Sequence, residues 1–167
     1  MFTYLNIRDS ISSGDLIAFS HGNWKSIPGI LTNLVRIFTR STYSHVGVAW
    51  VVANRVFVFE AVKPVTRVYP LSLMGDFYWI PTKASWNTKA ENFAIENMGV
   101  KYSNLACIEA FSRELDKDDV RECAAYAKAI LGRAGVYTGS LARPDSVIQE
   151  LQAQGKPIYF INSGGTK

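Results

Sequence analysis

Histidine and cysteine are both scarce: His21, His45, Cys107 and Cys123 are the only ones in 167 residues. Two cysteines cannot build a disulfide framework, and their spacing fits no common zinc pattern. The chain is also without any cluster of lysines and arginines. Its net charge of +4 favours anionic surfaces such as cell-wall polymer or lipid head groups, but it falls short of the footprint of a nucleic-acid binder. Long apolar segments are missing as well. The longest, Val46 to Val62, is broken by Asn54, Arg55 and Glu60, so it reads as a pair of strands and not as a membrane span. Met1 to Asp9 carry no basic n-region, apolar core or small-residue cleavage site, so no export signal is expected. There is no internal repeat and no low-complexity linker. With 48% hydrophobic and 13% aromatic residues, the chain is expected to form one domain over residues 1–162, large enough to bury its own core, with a loose tail at 163–167.

Ser13-Gly14-Asp15 is a turn signal that feeds a compact strand, Leu16 to Ser20. From Ser26 to Arg40, Ile27, Ile30, Leu31, Leu34, Val35 and Phe38 recur at helical spacing, with Pro28 in the opening turn. Ser44–Val52 and Val56–Ala61 are β-branched and aromatic strands joined around Ala53-Asn54-Arg55. Val65–Tyr69 and Phe77–Ile80 add two more, giving a sheet of about five strands. Past Pro81, helical periodicity marks Asn87–Met98, Ser103–Leu115 and Val120–Gly132. Pro144 opens a helix over Asp145–Gln154, and Pro157–Ile161 offers a last strand. Strands first and helices after predict an α+β domain, a small antiparallel sheet or half-barrel followed by a helical half.

Thiol catalysis needs a thiolate, a base that also protonates the leaving group, and a group that orients the base. Cys123, His45 and Glu60 can supply one each. Asp119 and Glu122 have the N-cap and N3 relation of a capping box, which would put Cys123 in the first turn of a helix. Beside an imidazolium, a thiol there can have its pKa lowered to roughly 3.5–7.5, and the helix start offers N–H groups to an oxyanion. Each residue also has a plainer reading. Cys123 shares an apolar face with Val120, Ala127, Ile130, Leu131 and Ala134, and composition alone makes it a small core residue. Cys107, between Ala106 and Ile108 and far from any cap, reads as core. His45 reads as a half-buried strand histidine satisfied by backbone, and His21 as a loop residue at the surface.

Glu60, inside Val-Phe-Val-Phe-Glu-Ala-Val, must either face water or be paired. A two-residue turn at Asn54-Arg55 pairs Ala49 with Glu60, so His45 and Glu60 share a face. They then stand about 13 Å apart along the strand at roughly 3.3 Å per residue. Direct contact requires a bulge, a longer loop or strong coiling, and Asp15, Ser44 and Tyr43 are substitutes for the third member. Tyr43, Ser44, His21 and Trp24 are candidates to line a substrate groove.

The order of these pieces carries a resemblance. Gly14-Asp15-Leu16-Ile17-Ala18-Phe19, Tyr43-Ser44-His45-Val46-Gly47-Val48, Phe59-Glu60-Ala61, Gly99-Val100-Lys101-Tyr102-Ser103, Glu122-Cys123 and Arg143-Pro144-Asp145 together resemble the circularly permuted NlpC/P60 group. These are permuted papain-like amidases of the YiiX/YaeF type, in which the His strand precedes the Cys helix. The resemblance spans nearly the whole chain and is strongest at the Ser-His-Val-Gly and Glu-Ala strands. Members usually carry an aromatic before the cysteine and Ser/Thr then Glu/Gln after it, whereas here Glu122 precedes and Ala124-Ala125 follow.

The resemblance implies Cys123 as nucleophile, His45 as general base and acid, Glu60 as orienter, and Gly14-Asp15 as a structural turn. It implies amide substrates, most often in peptidoglycan stem peptides, while relatives also act on lipid or acyl esters; no metal or organic cofactor is implied. Three functions follow as expectations. The first is a cell-wall cysteine hydrolase that stays in the cytoplasm or is delivered by phage lysis or inside a virion. The second is an acyltransferase or lipid esterase that uses the Ile27–Phe38 helix against a membrane surface. The third is a non-catalytic binding or virion structural protein, suggested by the altered surroundings of Cys123. No nucleic-acid partner is expected, and the oligomeric state is open.

Overall fold

The computed structural model describes residues 2–20, 42–103, 120–136 and 138–164. The helix expected over Ser26–Arg40, the groove candidates His21 and Trp24, Cys107 with nearly all of its helix, and Asp119 lie outside the described residues.

The chain is α+β. It begins with β1 (Phe2–Thr3), α1 (Tyr4–Ile7) and a 3-10 turn, then lays down β2 (Leu16–Ser20), β3 (Tyr43–Val52), β4 (Arg55–Ala61) and β5 (Thr66–Pro70). A second 3-10 turn leads to β6 (Phe77–Ile80), followed by α2 (Thr88–Glu96), α3 (Cys123–Arg133), α4 (Pro144–Ala153) and β7 (Tyr159–Asn162). Among the described residues the sheet has seven strands in the order β1-β7-β6-β2-β3-β4-β5; six of them answer to strands expected from the sequence, the last, over Pro157–Ile161, as β7, and β1 is the addition. The sheet is mixed, because β1 pairs with β7 in parallel while the other pairs are antiparallel. A two-residue strand such as β1 is too short to show a period, and β7 enters the sheet from the far end of the chain.

Strand alternation sorts the core into two faces. Leu16, Ala18, Val46, Val48, Phe59 and Ala61 point to the helices, where they meet Ala94, Tyr126, Ile130, Leu131, Ile148 and Leu151. Ile17, Phe19, Ala49, Val56 and Val58 point the other way, against Tyr4, Ile7, Leu71, Phe77 and Ile161. Most of these side chains are wholly buried, and each large apolar one contributes about 1.5–3 kcal/mol.

Helix α3 forms from an alanine-rich run with high helix propensity and packs on β3 and β4. It ends where Gly135 adopts φ +77 and the Val136 N–H returns to the Leu131 carbonyl, a glycine C-cap. Tyr126 ties it to α2 by donating to the Ala94 carbonyl at 2.6 Å. Among the described residues no helix is long and apolar enough to cross a membrane.

The β3–β4 turn differs from the expected one. Val52 pairs with Arg55, so the turn residues are Ala53 and Asn54, with φ of 49 and 58, as a type I′ hairpin demands. The slip of one residue reaches the candidate site.

Candidate active site

In the observed register Val48 pairs with Phe59, so Glu60 comes opposite Gly47 and not opposite Ala49. His45 is then two residues away along the strand, roughly 6.6 Å, on the same face. That is within side-chain reach, and His45 Nε2 lies 2.7 Å from Glu60 Oε2. The 13 Å separation expected from a turn at Asn54-Arg55 is thus corrected by the turn position itself. Gly47 makes the approach possible. A Cβ there would sit 2.4 Å from Val58 Cγ1 and 2.8 Å from the Phe59 carbonyl oxygen, so only glycine lets β4 come this close.

His45 and Glu60 are 3% and 0% exposed. Phe19, paired with His45 across β2, stacks on the imidazole with centroids 5.7 Å apart. The other Glu60 oxygen, Oε1, accepts from Nε and Nη2 of Arg67, each at 2.8 Å. Arg67 stands directly opposite Glu60 on β5. Burial raises the Glu60 pKa, but the bonds and charges of His45 and then Arg67 outweigh it and hold the carboxyl below its usual range. An ionised carboxylate only accepts, so Nε2 of the imidazole carries the proton, and in the neutral ring Nδ1 carries the lone pair.

Cys123 is the first residue of α3. The expected capping box is corrected here: Glu122 is itself the N-cap and not N3, and its carboxylate accepts from the Ala124 N–H at 3.1 Å and from the Ala125 N–H. Glutamate is long enough to fold back over the first turn, and so it takes the position the box rule gives to Asp119. Two helix-start amides expected to serve an oxyanion are therefore committed to Glu122. The Cys123 thiol lies 3.8 Å from Glu122 Oε2 and is buried in the cluster that holds Val46 and Val48. Two influences compete at this sulfur: the helix N-terminus favours a thiolate, and the adjacent carboxylate opposes it.

The structure thus joins His45 to Glu60. It places Cys123 on the helix side of β3, in the cluster of the residue that follows His45. The β2–β3 register shifts between Phe19 and Ser20, so the strand is bulged at Ser44, just before His45. Ser44 donates its hydroxyl to the Phe19 carbonyl at 3.3 Å, while Tyr43 packs edge-on against Tyr78 at 5.1 Å, beside the Cys123 cluster.

Asp15 is no substitute for Glu60, because it precedes β2 and stands four residues before Phe19, the partner of His45. Its carboxylate accepts from Ser12 N–H, Trp79 Nε1–H and Thr82 N–H at 2.9, 2.9 and 3.0 Å and pins the turn before β2. Arg67 was missed in the sequence. The signal was there: a carboxylate inside an apolar strand needs a cation, and the next strand offers Arg67 between Thr66 and Val68.

No family model matches the sequence, and no curated protein matches it. Among solved structures, the fold is similar to that of the metalloprotein YiiX from Escherichia coli O157:H7, with 21% identity and a TM-score of 0.54. The likeness covers 86% of this chain and 79% of that one. At this identity it is a likeness of fold.

Proposed function

We propose that the chain is a cysteine hydrolase of the permuted papain-like type that cleaves an amide, with a peptidoglycan stem peptide as substrate. The observation that carries the reading is the buried His45–Glu60 bond at 2.7 Å, in a sheet packed by a helix whose first residue is Cys123. The YiiX-like fold and the order of the His strand, Glu strand and Cys helix support it. The charge of +4 suits an anionic wall polymer.

In this scheme His45 Nδ1 takes the proton of the Cys123 thiol, and the thiolate attacks the amide carbonyl carbon. The resulting imidazolium, held through Nε2 by Glu60, gives its proton to the leaving amine as the C–N bond breaks. Water, deprotonated by His45, then attacks the thioester; the acid leaves and the thiol is restored. The scheme requires imidazole and thiol to meet at the end of β3, next to the bulge at Ser44, although the regular pairing of His45 with Phe19 and of Val46 with Ala18 sends His45 and Val46, the neighbour of Cys123, to opposite faces. Among the described residues no group of three or more His, Cys, Asp and Glu side chains stands together as a metal site.

A second reading has its own observation. Glu122 caps the helix with its carboxylate beside the thiol and occupies two amides of the first turn, an arrangement that suits a binding or virion structural relative without turnover. Incubation of the wild type and Cys123→Ala with purified peptidoglycan and with phospholipid vesicles, products read by mass, tests both. Release of stem-peptide fragments by the wild type alone is the expected result. Acyl products from vesicles would move the function to a lipid esterase or acyltransferase, and silence on both with an unreactive Cys123 would favour the non-catalytic reading.

A further inference from the structure

The carboxylate of Glu60 divides its two oxygens between two nitrogen donors on the strands either side of it. Oε2 faces His45 on β3, while Oε1 takes both Arg67 contacts from β5. Arg67 is also the only one of the three that reaches water, with 41% of its side chain exposed against 3% and 0% for His45 and Glu60. Its guanidinium lies over the Tyr69 ring, 4.6 Å from the centroid, which holds the planar fork in place from outside. Imidazole, carboxylate and guanidinium therefore form one row across β3, β4 and β5.

We infer that Arg67 is a positioning residue for His45: it fixes which Glu60 oxygen faces the imidazole and offsets the carboxylate charge, so that His45 releases its proton more readily than it would from an unshared carboxylate. With Glu60 alone, a buried full negative charge beside the ring would hold an imidazolium tightly and leave a poor acid–base shuttle. With Arg67 on the far oxygen the row carries one positive charge when His45 is protonated and none when it is neutral. The charged groups acting on Glu60 are His45 and Arg67. Among the described residues, Phe19 from β2, Phe77 from β6, Leu71 after β5 and Tyr4 from α1 share that face, and the further titratable groups packed against β3 are Cys123 and Glu122 at the start of α3, which every variant compared below keeps. The role in catalysis rests on the hydrolase reading, but the effect on His45 does not, and it is measured without turnover.

With two histidines in the chain, proton NMR titration resolves His45, and His21→Gln assigns the other signal. Arg67→Gln should raise the His45 midpoint by about one pH unit, a tenfold gain in proton affinity. Arg67→Lys, which keeps the charge, should restore most of the wild-type midpoint. A purely structural arginine would change the melting temperature and leave the midpoint where it was. An unchanged or lowered midpoint in Arg67→Gln, or a lysine variant that behaves like the glutamine one, would overturn the inference. If Arg67→Gln does not fold because Glu60 is left buried and uncompensated, the same charge is read in the Glu60→Gln background, where no carboxylate remains. Adding Arg67→Gln there should raise the midpoint, and equal midpoints would refute the role. Absence of hydrolase activity alters none of these outcomes, so failure of the functional reading and failure of this one are separable.

Discussion

Gly47→Ala probes the packing that lets His45 and Glu60 meet. The added Cβ would lie 2.4 Å from Val58 Cγ1 and 2.8 Å from the Phe59 carbonyl oxygen, where ordinary contact begins near 3.4 Å. The methyl of Val58 belongs to a wholly buried side chain, and the carbonyl is backbone, so neither can swing away. The two strands must part by at least half an ångström over this stretch. Overpacking of this kind costs roughly 1–3 kcal/mol. At about 2–4 °C per kcal/mol for a domain of this size, the melting temperature should fall by roughly 2–12 °C. Because Glu60 crosses to His45 beside Gly47, the same shift should loosen their bond and lower the His45 titration midpoint. Urea unfolding and NMR titration on one sample read both effects. A Gly47→Ala protein that matches the wild type in stability and in His45 midpoint would refute the claim that close strand approach builds the pair.

Asp15→Asn should destabilise by roughly 1–3 kcal/mol, because an amide turns its NH2 toward one of the three N–H donors the carboxylate accepts; urea midpoints measure this, and Cys123 alkylation should be unaffected. The Glu60 pKa is lowered in the folded protein, so its stabilisation is present above the unfolded carboxyl pKa and is lost as pH falls through the folded value. Glu60→Gln should therefore be less stable than the wild type at neutral pH, with the gap closing on acidification; a gap independent of pH would contradict the assignment. Glu122→Ala removes the cap of α3 and should cost about 0.5–2 kcal/mol, yet it should speed alkylation of Cys123 near pH 6 by removing the carboxylate beside the sulfur.

Much of the fold was legible where local chemistry decides. Leu16–Ser20 and Phe77–Ile80 have the same bounds in the sequence reading and in the structure, since apolar and aromatic runs bounded by Gly14 and Gly22, and by Gly75 and Pro81, leave little choice. Pro144 opens its helix as a first-turn proline should. What escaped is non-local or a matter of one residue. β7 inserts between β1 and β6, and no periodicity encodes that partner. The hairpin turn uses Ala53 with a positive φ, a conformation that is costly for alanine, so the reading favoured Asn54-Arg55 and missed the register that brings Glu60 to His45. At α3 the box rule favoured Asp119 because short side chains cap best, whereas Glu122 caps from one position before the helix.

The central claim is that Cys123 is a nucleophile activated by His45, and the pH profile of its alkylation by iodoacetamide, in the wild type and in His45→Ala, tests it most directly. The expected wild-type midpoint lies well below that of a free thiol, near 8.5, with Cys123 labelled ahead of Cys107 at pH 6 and the midpoint rising in His45→Ala. A native midpoint near 8.5 that His45→Ala leaves unmoved would show that no ion pair exists and that the chain is a non-catalytic relative.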